Sequence, residues 1–358
     1  MKKHYILKTL FFISVFITFS SCGKDDDYKQ VSPVTIDLTT VPYEKLSQYK
    51  FFEGEMKNLE PAYKVLPYDL NSTLFTDYAH KKRFVWMPEG TKATYTADNK
   101  SLNFPKGTVL IKNFYYDSIQ PANTTRIIET RLMIKKTEGW IFADYIWNEA
   151  QTEATLDMRG SNTNVTFKEN GITRTISYRI PEETECFTCH KNNAISIPIG
   201  PKPQNLNKNY TYSNGSQNQL SRWITEGYLD SAPSNITSTI DWTDETKPLD
   251  LRVRSYLDIN CAHCHSEGAH CSYRVMRFAF SESSNPDNLG VCIVPQERIN
   301  SSLLYIIAKK SPLRSALYYR INTTEVAERM PLMGRTIIHT EAVDMIKKWI
   351  EEMDTPCP

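Results

Sequence analysis

The sequence has almost no excess of charge of either sign. Its 42 basic and 41 acidic side chains leave a formal net charge of +1 over 358 residues. A nucleic-acid-binding protein usually carries a basic face or stripe, and no such stripe stands out in this chain. We therefore expect no nucleic-acid partner, and charge alone identifies no other partner.

Long apolar runs are also scarce, and the one that stands out lies near the N-terminus. Basic residues precede an apolar stretch at 10–17, and the small residues Ser20 and Ser21 follow it. This pattern is typical of a signal peptide and is too short to span a membrane. We therefore predict a signal peptide over 1–21 and an exported protein that is soluble apart from any anchor.

Cys22 follows these small residues directly, as in the lipobox of a bacterial lipoprotein, although Phe19 replaces the usual Leu. We predict that Cys22 carries lipid and anchors the protein to the cell envelope, on its periplasmic face or at the cell surface. A free or disulfide-bonded Cys22 beside an ordinary cleavage site is the alternative. Residues 22–45 are polar and lack periodicity, which predicts a tether between the lipid and the folded part.

Half of the eight cysteines fall in a repeated pattern, Cys-x-x-Cys-His, at 186–190 and at 261–265. This pattern is the signature of covalent c-type haem attachment, in which two thiols add to the haem vinyl groups and the histidine binds iron. A zinc half-site or a redox disulfide is the alternative, but zinc spacing does not require a histidine directly after the second cysteine. The predicted haem-binding residues are Cys186, Cys189, His190, Cys261, Cys264 and His265.

Three cysteines remain, namely Cys271, Cys292 and Cys357. In an oxidising compartment two of them are expected to pair. We favour a Cys271–Cys292 disulfide because the loop between them is short and therefore easy to close. Sequence alone does not fix the connectivity.

Residues 46–182 have the character of a β-rich domain. Five runs rich in β-branched and aromatic residues are separated by turn signals, which favours a β-sandwich or a barrel. The predicted strands cover 83–87, 107–116, 126–134, 140–147 and 172–180.

The rest of the chain is predicted to be mainly α-helical, which makes the fold class α+β and multidomain. Residues 183–240 would form the first haem-binding segment, with a helix that begins at a Ser216 capping box and ends near Gly227. Residues 241–358 would form a domain like cytochrome c. In it, a helix over 248–260 leads to Cys261 and packs on a last helix that Thr340 caps.

Met330 is the predicted second axial ligand of the haem at His265, with Met333 as the alternative. Thioether ligation raises the reduction potential and suits electron transfer. The haem at His190 has no local candidate, because 191–260 contains neither Met nor His. A lysine, a backbone donor or an open coordination position also stays possible. More distant candidates are Met56, His80, Met87, Met133, Met158, Met276, Met345 and Met353.

Several segments resemble a family of bacterial secreted dihaem c-type cytochromes. They lie at 67–78, 104–112, 147–154, 254–265 and 329–335. The resemblance implies two haems and redox work, but it names no reaction. The chain departs from the family at 266–271, where relatives usually have a Pro-Gly type of turn.

These patterns predict an electron carrier whose two haem irons cycle between Fe(III) and Fe(II) and exchange electrons with partner proteins. A peroxidase-like oxidoreductase that uses an open first haem is the alternative, although the sequence offers no defined acid–base constellation for it. A haem-dependent sensor or a surface scaffold is a third reading.

Overall fold

The computed structural model describes residues 30–358, and its largest element is an eight-stranded antiparallel sheet. In this sheet the strand Val109–Ile119 pairs with Thr124–Lys135 along one edge. Along its other edge it pairs with His80–Trp86 and, at Ile119 alone, with Arg159–Glu169. The strands are β1 (Phe52–Glu53), β2 (Glu60–Pro61), β3 (Leu66–Tyr68), β4 (His80–Trp86), β5 (Val109–Ile119), β6 (Thr124–Lys135), β7 (Trp140–Trp147), β8 (Ala154–Leu156), β9 (Arg159–Glu169), β10 (Ile172–Glu182), β11 (Lys191–Asn192), β12 (Ile195–Ser196), β13 (Asn209–Tyr212) and β14 (Gly215–Asn218).

Short helices follow the sheet. They are α1 (Glu183–His190), α2 (Pro203–Leu206), α3 (Gln219–Thr225), α4 (Leu249–Asn260), α5 (Pro286–Leu289), α6 (Ala316–Ile321) and α7 (Thr340–Glu352). Single 3₁₀ turns cover Leu46–Tyr49, Met56–Asn58 and Pro312–Arg314. Within residues 30–358, none of the helices has the length and apolar character that crossing a membrane requires.

Both faces of the sheet are buried, which explains why its strands are apolar on both sides. Side chains alternate between the faces along a strand. Val109 and Ile111 therefore lie on one face, in a core that they share with residues between 34 and 65. Leu110 lies on the opposite face, in a core that includes Trp223 of α3 and Ile259 of α4. Cys186 of the first Cys-x-x-Cys-His motif packs against this second core, whereas Cys261 of the second motif packs against a separate core in the C-terminal region.

Part of the predicted tether lies on the sheet instead of extending from it. Val41 is buried in the first core, and Val34, Ile36 and Leu38 pack against it. Apolar side chains at alternating positions make this segment a cover for the sheet, a pattern too short to stand out in the sequence. The predicted signal peptide and Cys22 lie outside the described residues.

The predicted fold class is wrong in two respects. All five predicted strands belong to one eight-stranded sheet whose strand order is open, which is neither a sandwich of two sheets nor a closed barrel. Chain segments, rather than a second large sheet, cover its faces. The region after the sheet is also not mainly α-helical. Its helices contain 4 to 13 residues, and loops and two- to four-residue strands separate them. Helical periodicity is sustained only at α4 and α7.

The predicted pairing of α4 with α7 is confirmed. Val253 and Leu257 of α4 share a buried core with Ile346 and Ile350 of α7. Helix α3 also exists and ends before Gly227, which adopts a φ of 80°. Its cap is Asn218, whose side chain accepts hydrogen bonds from two backbone amides, and not Ser216. The proposed division at residues 182 and 240 stays a prediction, and Pro33–Pro358 form one compact unit.

Candidate functional site

The first motif lies on α1, which begins directly after β10. A reciprocal capping box between Glu182 and Glu185 starts this helix. On a helix, residues three and four apart share a face. Cys186, Cys189 and His190 therefore point to the same side, towards the sheet, where the ring of Phe142 lies 5.3 Å from that of His190.

His190 is oriented as a metal ligand would be. Its Nδ1 lies 2.9 Å from the carbonyl oxygen of Ile197. A hydrogen bond at Nδ1 fixes the tautomer that leaves Nε2 free to bind a metal. Burial lowers the pKa of His190 to about 4. The ring is therefore neutral near pH 7, and its Nε2 lone pair is available.

The second motif begins where α4 ends. The amides of Cys264 and His265 both bond to the carbonyl of Cys261, which folds the motif into a tight turn. His265 is buried, and burial lowers its pKa to about 4. Its Nδ1 has no hydrogen-bond partner within residues 30–358. No acceptor therefore fixes the tautomer of His265 as the Ile197 carbonyl fixes that of His190. The property that His265 shares with a metal ligand is its neutral, buried ring.

His265 and Met330 line the same cavity, which has a volume of about 330 Å³. We call it the His265 cavity. This volume falls within the range of about 300–1,000 Å³ for small-molecule sites. Cys261, Cys264 and Met333 also line it. Met330 is thus in the cavity where the sequence predicted a ligand, and its role as a ligand stays a prediction.

Two residues that sequence analysis did not single out hold the loop of Met330. The buried Arg335 guanidinium donates to four backbone carbonyls, including that of Met330 at 3.0 Å. The Asp77 carboxylate accepts hydrogen bonds from the amides of Thr336 and Ile337. Asp77, which lies between β3 and β4, is thereby joined to residues 330–337, which we call the methionine loop. Only the contacts, and no local pattern, identify Asp77.

His190 lines a second cavity of about 160 Å³, which we call the His190 cavity. Cys186 and Cys189 line it as well. Three methionines and one lysine that could complete an iron site there also belong to its wall, namely Met133, Met158, Met333 and Lys112.

The other proposed sixth ligands of the first haem lie elsewhere. Met87 is in the sheet core, and Met56 packs against the opposite face. His80 lies near Asp117 and Glu169 at the end of β4. Of the three downstream candidates, Met345 is in the C-terminal core, and Met276 and Met353 pack against that core. Met276 also lines the His265 cavity.

A charged cluster that is buried at Glu129 and Asp144 and half-buried at Arg131 adjoins the His190 cavity. Arg131 pairs with Glu129 and lies 3.5 Å from Asp144, and Tyr178 donates a hydrogen bond to Glu129. Burial and the neighbouring Glu129 raise the pKa of Asp144 well above its ordinary value. Burial also acts on Glu129, but Arg131 and hydrogen bonds hold its pKa below the ordinary value. The only sequence signal was charge inside otherwise apolar strands.

The second cysteines of the two motifs, Cys189 and Cys264, lie close to each other. One ligand atom each from Cys189, His263 and Cys264 lies within 4.8 Å of the others. Hydrogen bonding with Cys264 and His263 lowers the pKa of Cys189 well below its ordinary value, and the bond to Cys189 raises that of Cys264. Cys186 and Cys261 are outside this group, so the described residues do not form a four-cysteine zinc site.

The predicted Cys271–Cys292 disulfide is wrong. The structure joins Cys292 to Cys357, with Cα atoms 5.3 Å apart. Cys271 is buried beside the second motif, where its amide bonds to the carbonyl of Cys264, and it has no disulfide partner among the described residues. Loop length was a poor guide because folding brings the C-terminus back to the loop of Cys292.

The described residues thus bring each cysteine pair and its histidine to one cavity and bring the two cavities together. In comparisons with protein-family models, with curated proteins and with solved structures, nothing matched this chain.

Proposed function

We propose that the chain is a dihaem c-type cytochrome that transfers electrons at the cell envelope. One observation carries this proposal: in each Cys-x-x-Cys-His motif, both thiols and the histidine line one cavity. Covalent attachment requires this arrangement, because the two thioethers and the axial nitrogen must reach the same porphyrin.

The donor set fits haem better than it fits zinc. Each motif offers two thiols and one neutral imidazole, which is buried at His265 and half-buried at His190. The four motif cysteines do not converge on one point. Haem iron would supply a one-electron couple at each site. The chain's part is to attach the group, orient His190 through the Ile197 carbonyl, and exclude water from the buried rings.

Met330 is the proposed second ligand of the haem at His265. It shares the cavity with His265, and Arg335 fixes its backbone carbonyl. For the haem at His190, the candidates on the cavity wall are Met133, Met158, Met333 and Lys112.

A peroxidase-like oxidoreductase is the second candidate function. The buried group of Asp144, Glu129 and Arg131 favours it, because reduction of a peroxide needs proton donors and a cation near the iron. Arg131 and Asp144 line the His190 cavity. This reading requires an open coordination position at the first haem.

Binding of carbon monoxide separates the two candidates. An electron carrier with both irons closed by two protein ligands leaves the spectrum of the reduced protein unchanged when carbon monoxide is added. If one haem binds carbon monoxide readily and the protein consumes peroxide, simple electron transfer is insufficient.

We also propose that lipid on Cys22 anchors the protein to the membrane of the cell envelope. The basic, apolar and small residues that precede Cys22 support this. Cys22→Ala should release the protein from the membrane fraction, whereas the neighbouring change Gly23→Ala should not. Retention of the Cys22→Ala protein on the membrane would contradict the anchor.

A further inference from the structure

The two motifs meet at their second cysteines. Ligand atoms of Cys189 and Cys264 lie within 4.8 Å of each other, and a nitrogen of His263 lies within the same distance of both. Cys186 packs instead against the core of the sheet face, and Cys261 against the C-terminal core. The second cysteines therefore face each other, while the first cysteines belong to different parts of the core.

A thin wall separates the two cavities. Four residues line both of them, namely Cys189, His263, Pro331 and Met333. Two of these are in the motifs and two are in the methionine loop. Asp77 and Arg335 hold that loop through backbone hydrogen bonds. The wall is thus built from three segments, namely the first motif, the second motif and the methionine loop.

We propose that the chain attaches its two haems side by side at Cys189 and Cys264, so that they act as one coupled two-electron unit. This inference rests on the proposed function. When the unit donates, each of its two irons would go from Fe(II) to Fe(III) and the partner or substrate would gain the two electrons. When the unit accepts, both irons would return to Fe(II) and the partner or substrate would lose two electrons. Such a unit suits a partner or substrate that exchanges two electrons in close succession.

His263 takes part in the contact between the two motifs. It lies between the second cysteines, lines both cavities, and has a buried Nδ1 without a hydrogen-bond partner in residues 30–358. A histidine between the two attachment cysteines is not required for attachment itself, since any residue fits Cys-x-x-Cys-His. The contact that this side chain makes is with Cys189 of the other motif.

The test uses the full holoprotein and needs no variant. Intact mass first establishes how many haems are attached. Low-temperature EPR spectra are then recorded for the fully oxidised protein and after one electron per molecule has been added. In the oxidised form both irons are paramagnetic, so we expect signals broadened or displaced by their mutual interaction. After half-reduction the remaining ferric signal should narrow, which makes the half-reduced protein an internal control.

The outcomes separate this inference from the proposed function. Two attached haems whose oxidised spectrum is the sum of two isolated ferric haems, unchanged by half-reduction, would overturn side-by-side attachment alone. Fewer than two attached haems would overturn the proposed function, and this inference with it. Two attached haems with interacting signals would support both.

Discussion

Arg335 is the residue whose contacts most directly hold the methionine loop. Its guanidinium is buried and donates to the carbonyls of Arg320, Thr323, Met330 and Ile337. Lysine keeps the charge but lacks the planar set of donors. We expect Arg335→Lys to lower the free energy of unfolding by about 2–4 kcal/mol, because buried carbonyls lose their partners. Urea unfolding of the holoprotein measures this.

Arg159→Lys is the matched control for that change. The Arg159 side chain is 88% exposed and pairs with Asp157 on the surface. Surface pairs of this kind contribute little to stability, because water screens their attraction. Equal losses for the two variants would show that the Arg335 contacts do not stabilise the loop.

Met330 tests the assignment of the second axial ligand. Replacing a thioether ligand lowers the potential of haem iron. We expect Met330→Leu to lower one of the two reduction potentials by on the order of 0.1 V, a part of the roughly 0.8 V that axial ligands span. Potentiometric titration followed by absorbance measures both potentials.

Met345→Leu is the control for Met330, because Met345 is buried in the C-terminal core on α7. The volume-conserving change should leave both potentials in place. If Met330→Leu also leaves both potentials unchanged, Met330 is not a ligand. A lowered potential in Met333→Leu would then assign Met333 to one of the two haems, since Met333 lines both cavities.

At the scale of elements, the Cys292–Cys357 disulfide ties the C-terminus to the loop before α6. The two cysteines are 65 residues apart in the sequence. Constraint of the unfolded chain by a loop of this size contributes about 2–4 kcal/mol. We expect Cys292→Ser with Cys357→Ser to lower the stability by this amount in urea unfolding.

Cys271→Ser is the comparison for the disulfide variant. Peptide mapping without reduction should recover Cys292 joined to Cys357 in the Cys271→Ser protein. Recovery of a peptide that joins Cys271 to Cys292 in the native protein would contradict the observed connectivity.

The sequence predicted individual elements better than it predicted their arrangement. The five expected strands exist because β-branched and aromatic residues dominate them. Strand β9 escaped notice because only Val165 and Phe167 are buried in it, among Asn, Thr and Lys. Each face of the sheet is covered by segments that are distant in the sequence. The local pattern of a strand therefore does not predict which segments cover it.

The candidate site divides in the same way. Each Cys-x-x-Cys-His motif was visible because attachment needs adjacent residues. The contact between Cys189 and Cys264, the Arg335 contacts and the charged group around Asp144 join residues that only folding brings together. No spacing rule predicts such contacts.

At the scale of the whole molecule, buried histidines make stability depend on pH. Burial lowers the pKa of His339 to about 4. Its ring stacks on Phe75 and its Nδ1 lies 3.1 Å from the hydroxyl of Tyr256. Below about pH 6.5 the unfolded chain binds a proton at this histidine that the folded chain does not bind. This histidine therefore leaves the free energy of unfolding unchanged above about pH 6.5 and reduces it as the pH falls towards 4.

A shift of this size corresponds to about 3 kcal/mol over the window from pH 6.5 to 4. We expect His339→Phe to remove that part of the pH dependence of urea unfolding in the holoprotein. An unaltered slope in the His339→Phe protein would contradict this origin.

The central claim is that each motif carries one covalent haem. Mass spectrometry of the intact holoprotein and of its proteolytic peptides tests this most directly. We expect the mass of the chain plus two haems, with one haem on the peptide that contains Cys186 and Cys189 and one on the peptide that contains Cys261 and Cys264. Unmodified thiols on both peptides, or bound zinc in place of haem, would contradict the account.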